Sequence, residues 1–368
     1  MIKDKMLKPV ELEFNGKAGE YFRIWIVNVL LSIVTLGIYS AWAKVRNKQY
    51  FYGNTILDGS PFEYGASPIA ILKGRIVVVA VLAAVSILSQ IFPLANAIFF
   101  IVFFIVLPWL VMRSLMFNAR YSSYRNLNFS FEKNLSGAVK TFIGIGLLVI
   151  VTLGLAYPFY THAIQKYRVD NHGYGQYVFH FKKSAKAFYK YYFIGLVIVL
   201  ATLILVSLLF GGAMSSFVGS FNSDPESIPS INPLTTITLL LMSMIYLIGY
   251  FAAYAYVQTR VFNTVWSNTS LNKASAHLLT VPTVPLMAFK GTLKTNKMLY
   301  IYLTNTLGII ISFGLLIPWA KIRLARYRIN NIEVSSIADL KIIIATQREK
   351  VGTIGSEMGD LLDIDIAM

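Results

Sequence analysis

Hydrophobic and polar positions alternate along this chain on two length scales. The longer one is set by apolar runs without Asp or Glu, at residues 24–43, 76–92, 94–112, 141–161, 191–210, 234–257 and 298–320. Each is close to the roughly 20 residues that carry a helix across about 30 Å of hydrocarbon. They predict membrane helices in the order single, pair, single, pair, single. The shorter scale has a period of two. Leu12 and Phe14 alternate with Glu11, Glu13 and Asn15; Phe62 and Tyr64 follow an Asp58-Gly59 turn; Asn128-Phe129-Ser130-Phe131 and Phe179-His180-Phe181 read the same way. These stretches predict short strands lying between the apolar segments, gathered into a small cytoplasmic sheet. The organisation expected is a polar N-terminus with one strand (1–20), a membrane domain (21–336) and a polar tail (337–368).

The single segments repeat. Thr35–Asn54, TLGIYSAWAKVRNKQYFYGN, aligns without a gap with Ser312–Asn331, SFGLLIPWAKIRLARYRINN, at an offset of 277 residues. Gly37, Trp42, Ala43, Lys44, Arg46, Tyr50 and Asn54 correspond to Gly314, Trp319, Ala320, Lys321, Arg323, Tyr327 and Asn331. A third copy, Thr152–Asn171, lies at an offset of 117 and keeps Tyr167 and Asn171, with its basic pair at Lys166 and Arg168. Each copy reads as an apolar helix, a Gly break, an interfacial aromatic residue and a basic amphipathic helix. The fold class expected is therefore a polytopic α-helical membrane protein with degenerate internal repeats and short cytoplasmic strand segments.

Composition agrees with a membrane protein. Hydrophobic residues make up 56% and charged residues 14% of the 368 positions, and mean hydropathy is +0.61; soluble domains carry about 25% charge. Cysteine is absent, which removes disulfides, thiolate metal sites and cysteine nucleophiles. The first residues predict no cleavable signal peptide. A net charge of +16 would suggest nucleic acid in a soluble chain. Here it reads as the cytoplasmic Lys/Arg bias of a membrane protein, with no nucleic-acid partner expected.

That bias constrains topology. Residues 76–112 and 191–259 contain no Lys or Arg, so the loops at Gln90–Asn96 and Gly211–Pro233 are expected to face away from the cytoplasm. The single segments are flanked by basic residues on both sides. Both basic-free loops can share one side only if the middle single segment enters and returns, or lies at the interface. Its length equally suits a plain span, and the two readings stay open.

Candidate chemistry is sparse. Trp42, Arg46 and Tyr50 are spaced to share a helix face, and with Lys44, Trp319, Lys321, Arg323 and Tyr327 form a candidate lipid or interface set. They suit either plain membrane anchoring or a site for anionic lipid headgroups. Asn28 and Asn305, equivalent in the first and last copies, are candidate intramembrane polar groups, either joining helices or touching a ligand. His162, His172, His180 and His277 are too scattered for a metal site. Gly352–Gly359 looks superficially like a phosphate loop but lacks its Lys. No catalytic, metal or cofactor residues are identified.

The TLGIYSAWAKVR stretch, followed by NTILDG and the Phe62-Glu63-Tyr64 strand, resembles the YjgN-like family of bacterial inner-membrane proteins. Ala41 stands where that pattern usually has Pro, and Pro318 restores it in the last copy. The resemblance implies a multi-pass protein of the bacterial inner membrane and brings no established activity. The function expected is non-enzymatic binding or transport of a small or lipidic ligand. The alternative is a structural or regulatory membrane protein without transport activity, its protein partners unidentified.

Overall fold

The computed structural model describes residues 7–222, 233–273 and 285–337. Sequence features at Asp224, Glu226, His277 and Gly352–Gly359, and the tail beyond residue 337, lie outside the described residues. The chain is mostly helical. In order it forms β1 (Lys8–Val10), β2 (Leu12–Phe14), α1 (Ala18–Val34), α2 (Ser40–Gly53), β3 (Thr55–Leu57), β4 (Ser60–Tyr64), α3 (Pro68–Ile91), α4 (Ala95–Arg120), β5 (Ser122–Tyr124) and β6 (Leu127–Phe131). Then come α5 (Leu135–Val139) and α6 (Gly146–Val151), joined through a π turn at Lys140–Ile145, and α7 (Tyr157–Asp170), β7 (His172–Tyr174) and β8 (Tyr177–Phe181). The last elements are α8 (Lys186–Asn222), α9 (Pro233–Ser267), β9 (Thr269–Lys273), β10 (Met287–Gly291), α10 (Thr295–Ile311), α11 (Ile317–Ile329) and β11 (Ile332–Ser336). Helix α8 continues through Gly211 to Asn222, beyond the predicted loop start, because residues 211–222 contain no proline and a helix tolerates glycine far better than proline.

Among the described residues, four helical stretches are long and apolar enough to cross a membrane: Pro68–Ile91, Ala95–Arg120, Lys186–Gly212 and Thr236–Ser267. They carry the two predicted pairs. Their apolar side chains point outward, and none of α3 is buried. In water so large an apolar surface would be an association site; on a membrane helix it is the lipid-facing surface. The single segments take another form, two shorter helices around a tight turn. The rising arms α1, α5–α6 and α10 have 17 residues each, about 25 Å of helix.

By contacts the chain divides into two compact units. The first holds the chain up to Lys183, Thr264–Thr292 and the chain from Ile317; the second holds Ser184–Asn263 and Leu293–Leu316. In the second, α8 and α9 approach closely where Gly249 faces Thr202 and Gly195 faces Val257, contacts that a Cβ would obstruct. Tyr302 of α10 packs against Tyr254 and Phe251 of α9, with ring centroids 5.2 and 6.5 Å apart.

The first unit contains the whole sheet. The described strands pair antiparallel in the order β1-β11-β10-β9-β8-β7-β6-β5-β4-β3-β2. Since β1 and β2 are separated by Glu11 alone yet occupy the two ends of that order, the sheet bends round into a near-closed, barrel-like ring. Closure removes the open edges that would invite aggregation. One strand face is apolar, with Phe14, Tyr64, Leu127, Phe131, Phe181, Leu271, Met287, Ile332 and Val334 buried; Glu13, Glu63, Asn128, Lys290 and Glu333 lie on the other.

The chain leaves and re-enters the ring at one rim, between residue pairs Phe14↔Thr55, Tyr64↔Ser122, Phe131↔His172, Phe181↔Thr269 and Gly291↔Ile332. At each, the first amide after the departing strand donates to the last carbonyl before the returning one. These bonds are Asn15 N to Asn54 O (2.9 Å), Gly65 N to Tyr121 O (2.9 Å), Glu132 N to Asn171 O (2.8 Å), Lys182 N to Asn268 O (3.0 Å) and Thr292 N to Asn331 O (2.9 Å). The opposite rim carries the strand turns. Asp58-Gly59 and Arg125-Asn126 have positive φ at both central residues, the hairpin geometry that matches strand twist. Arg125 joins these two turns, donating to Asp58 O (2.7 Å), Asp58 Oδ2 (2.8 Å) and Ser60 Oγ (2.9 Å). Burial pushes the neighbouring Tyr124 phenol, which donates to Leu57 O at 2.6 Å, up to about 12.

Candidate membrane-surface site

The Thr-Leu-Gly motif is a helix stop and a helix start in one turn. In the first copy Leu36 takes a left-handed φ of 49° and Gly37 one of 89°. The Gly37 amide bonds to Ser32 O (2.7 Å) and the Leu36 amide to Ile33 O (3.1 Å), closing the last carbonyls of α1 in a Schellman motif. Thr35 Oγ1 donates back to Leu31 O (2.7 Å) and accepts from the Tyr39 amide (2.9 Å), which opens α2. The same bonds recur at Leu153-Gly154 with Thr152, and at Phe313-Gly314 with Ser312, whose hydroxyl donates three residues back, to Ile309 O, instead of four. A hydroxyl, an apolar residue and Gly are therefore what this turn requires. Pro158 and Pro318 sit buried in the first turn of the following helix, where a proline's missing N–H has no partner to lose; Ala41 fills that place in α2.

Each turn presents apolar side chains outward. Leu36 and Leu153 are 94% exposed and Phe313 98%, and each is flanked by exposed Ile, Val or Leu. Directly after each turn comes the basic helix.

The sequence-selected residues divide by role. Trp42 is half-buried and stacks on Tyr39 (centroids 6.1 Å), whose hydroxyl accepts from Arg46 at 3.0 Å. In the last copy Arg323 lies over the exposed Trp319 ring at 4.9 Å. Lys44, Arg46 and Lys321 are exposed and Arg323 is half-buried. Tyr50 is occupied at the base of the α1–α2 hairpin: it stacks on Tyr21 (5.3 Å), accepts from the Lys17 amide (2.8 Å) and donates to Lys17 O (2.9 Å). Tyr167 plays the corresponding part in the middle copy, donating to Asn134 O at 3.1 Å. Tyr327 is half-buried, and its carbonyl accepts from Asn331 Nδ2 at 2.8 Å. The neighbouring Lys48, not selected from sequence, turns inward to Asn118 Oδ1 and the Tyr64 ring (4.4 Å), and burial beside Lys44 pulls its pKa down.

Asn28 is buried and donates to Asn47 Oδ1 across the α1–α2 hairpin at 3.3 Å, while its own Oδ1 has no hydrogen-bond partner. Asn305 is buried on α10, in the other compact unit. The alignment marked Tyr50 and Asn54 as repeated, but not that they work locally. Asn54, Asn171 and Asn331 each donate to the carbonyl four residues earlier, at 2.8, 2.6 and 2.8 Å, and so end the basic helix.

Among the described residues, four membrane-competent helices with outward-facing apolar side chains define a multi-pass membrane protein. Residues 9–361 match the family described as "Bacterial protein of unknown function (DUF898)", and the chain belongs to that family. Relatives called "Inner membrane protein YjgN" from Escherichia coli O157:H7 and strain K12 are 23% and 22% identical, each alignment covering 93% of both chains. The YjgN protein of Salmonella typhimurium is 30% identical over 143 residues, 39% of this chain and 36% of that relative. No solved structure matches the chain. The protein is accordingly a multi-pass protein of the bacterial inner membrane.

Proposed function

We propose that this protein is a non-enzymatic membrane protein that holds a lipidic ligand, with anionic headgroups bound along the basic helices α2 and α11. The proposal includes a repeat-built architecture in which each repeat is a pair of helices returned to a cytoplasmic ring. The observation that carries the reading is the pairing of an almost fully exposed apolar turn (Leu36, Phe313) with exposed cations on the helix that follows (Lys44 and Arg46, Lys321). An apolar tip in the acyl region and cations at phosphate depth form an interfacial anchor with headgroup contact. The aromatic partners of Arg46 and Arg323 limit the freedom of both guanidinium groups and favour bidentate phosphate contacts.

Native mass spectrometry of the purified protein with phosphatidylglycerol tests this. Each cation changed to Gln is expected to weaken retention about 5-fold, corresponding to about 1 kcal/mol near an anionic surface. A defined headgroup site further predicts that Arg46→Lys or Arg323→Lys, which keeps the charge, loses much of the binding. A quadruple Gln variant at Lys44, Arg46, Lys321 and Arg323 that keeps as much lipid as the wild type would refute the site.

A further inference from the structure

The second compact unit contains an open cavity of about 700 Å³ lined by Arg260 of α9 and by Lys294, Thr295, Asn296, Lys297 and Tyr300 at the start of α10. We propose that it binds a phosphate-bearing anion, either the headgroup of an anionic lipid or a soluble phosphate ester. It shares no residue with the α2 and α11 surface, so either assignment can fail without the other.

Three of the six lining residues are cations and none is acidic. The described residues of this unit contain no Asp or Glu at all, so carboxylates of the same unit do not offset the charge. Two of the cations lie against rings: the Arg260 guanidinium is 5.5 Å from the Tyr256 centroid and Lys297 Nζ 5.3 Å from that of Tyr300. A ring face steadies a cation without using its N–H donors in hydrogen bonds, which keeps them for a ligand.

The cavity walls are fixed to each other. Asn263, one turn beyond Arg260, donates to Leu293 O at 2.9 Å and accepts from the Leu293 amide at 3.0 Å. This reciprocal pair sets the residue before Lys294 against α9. Thr295, Asn296 and Lys297 are the first three residues of a 17-residue helix, and no side chain caps it at Lys294. Their amides add an oriented positive end to the three cations. Depth favours phosphate as well. Arg260 is the first cation after a stretch, Tyr191–Thr259, that has none, so the cavity opens where the Lys- and Arg-free stretch ends. Its volume lies within the usual range of small-molecule sites.

The test uses the full-length protein with two probes, phosphatidylglycerol retention by native mass spectrometry and sn-glycerol 3-phosphate titration by calorimetry. Loss of two cations in Arg260→Gln/Lys297→Gln should weaken the bound probe by about 25-fold. Lipid retention that falls while the soluble ester never binds identifies a headgroup site. A soluble ester bound by wild type and lost in the variant identifies a phosphate-ester site. If the double variant does not fold, Arg260→Lys and Lys297→Gln serve singly. Arg260→Lys keeps the charge but loses the planar fork, and should lower affinity several-fold. The proposal is overturned if wild type binds neither probe, or if these variants bind both as wild type does.

Discussion

Asn171 is where the ring closes most tightly on a helix, and replacing it is a direct test of how the excursions are tied down. The side chain is buried, its Nδ2 donates to Tyr167 O at 2.6 Å, and its Oδ1 accepts from Asn134 Nδ2 at 3.1 Å. Asn171→Ala leaves the buried Tyr167 carbonyl and the half-buried Asn134 amide each one partner short, at about 1–3 kcal/mol for the buried group and about 1 kcal/mol for the other. The expected loss is about 2–4 kcal/mol. Asn54 and Asn331 make the same bond to the fourth residue back but are only half-buried, so Asn54→Ala and Asn331→Ala should cost about 1 kcal/mol each. In one detergent, thermal unfolding followed by intrinsic fluorescence should order the variants 171 below 54 and 331, at no more than about 2 °C per kcal/mol for a chain of this size. Asn171→Asp adds a pH dependence. At pH 7 the introduced carboxylate faces a carbonyl and cannot donate. Burial raises its folded pKa above the unfolded value of about 3.9, so the deficit against wild type is full above the folded pKa and shrinks as pH falls through it, when a protonated carboxyl can donate again. His172 also contributes: burial lowers its pKa, so the unfolded chain takes up the proton first and wild type itself loses stability as pH falls below about 6.5. Comparison with wild type at each pH removes most of that term. An Asn171→Ala midpoint equal to wild type, or an Asn171→Asp deficit that does not shrink as pH falls from 7 to about 4, would refute the reasoning.

Two further predictions test the opposite rim and the turns. Arg125→Lys loses the fork that joins Asp58 and Ser60, and should destabilise by about 1–2 kcal/mol, read as a lower unfolding midpoint with the overall fold retained in circular dichroism. The chain has no cysteine, so Leu153→Cys can be labelled alone with an environment-sensitive dye. The label should be quenched by brominated lipid and protected from aqueous iodide, whereas Glu63→Cys on the exposed sheet face should respond in the reverse way; iodide access equal at both positions would remove the turns from the membrane.

The sequence made some of this architecture legible and hid the rest for physical reasons. The four long helices were readable because twenty apolar residues without a charge have few alternatives. Two-residue periodicity after an Asp-Gly turn exposed β4, but not its hairpin partner β3. Ring closure could not be read in the same way, because it depends on β1 and β2 pairing with strands at opposite ends of the chain, and strand pairing leaves no local signal. Arg125 was equally hidden: its αL backbone and its contacts to Asp58, 67 residues away, are tertiary. The same holds for Arg260 and Lys294, which are ordinary basic flanks in sequence and become one cavity only when α9 and α10 pack.

Ring closure also bears on the ambiguity that the charge pattern left open. An excursion that begins and ends on adjacent strands of one sheet must cross a bilayer an even number of times or not at all. Phe131 and His172 are direct partners in the ring, so the chain between them returns to the face it left. With the middle segment returning, the expectation that both Lys- and Arg-free loops face away from the cytoplasm meets no obstacle in the middle copy. The Thr-Leu-Gly turn supplies the means of return: it satisfies the helix-end carbonyls and the next helix's first amide internally, which is the condition for a turn to sit in hydrocarbon. A plain span would have no need of a left-handed leucine at Leu153, a conformation that costs about 1–2 kcal/mol. Its recurrence at Leu36 and Phe313 is the strongest reason to regard the returning turn, rather than the basic helix after it, as the feature around which the three copies are built.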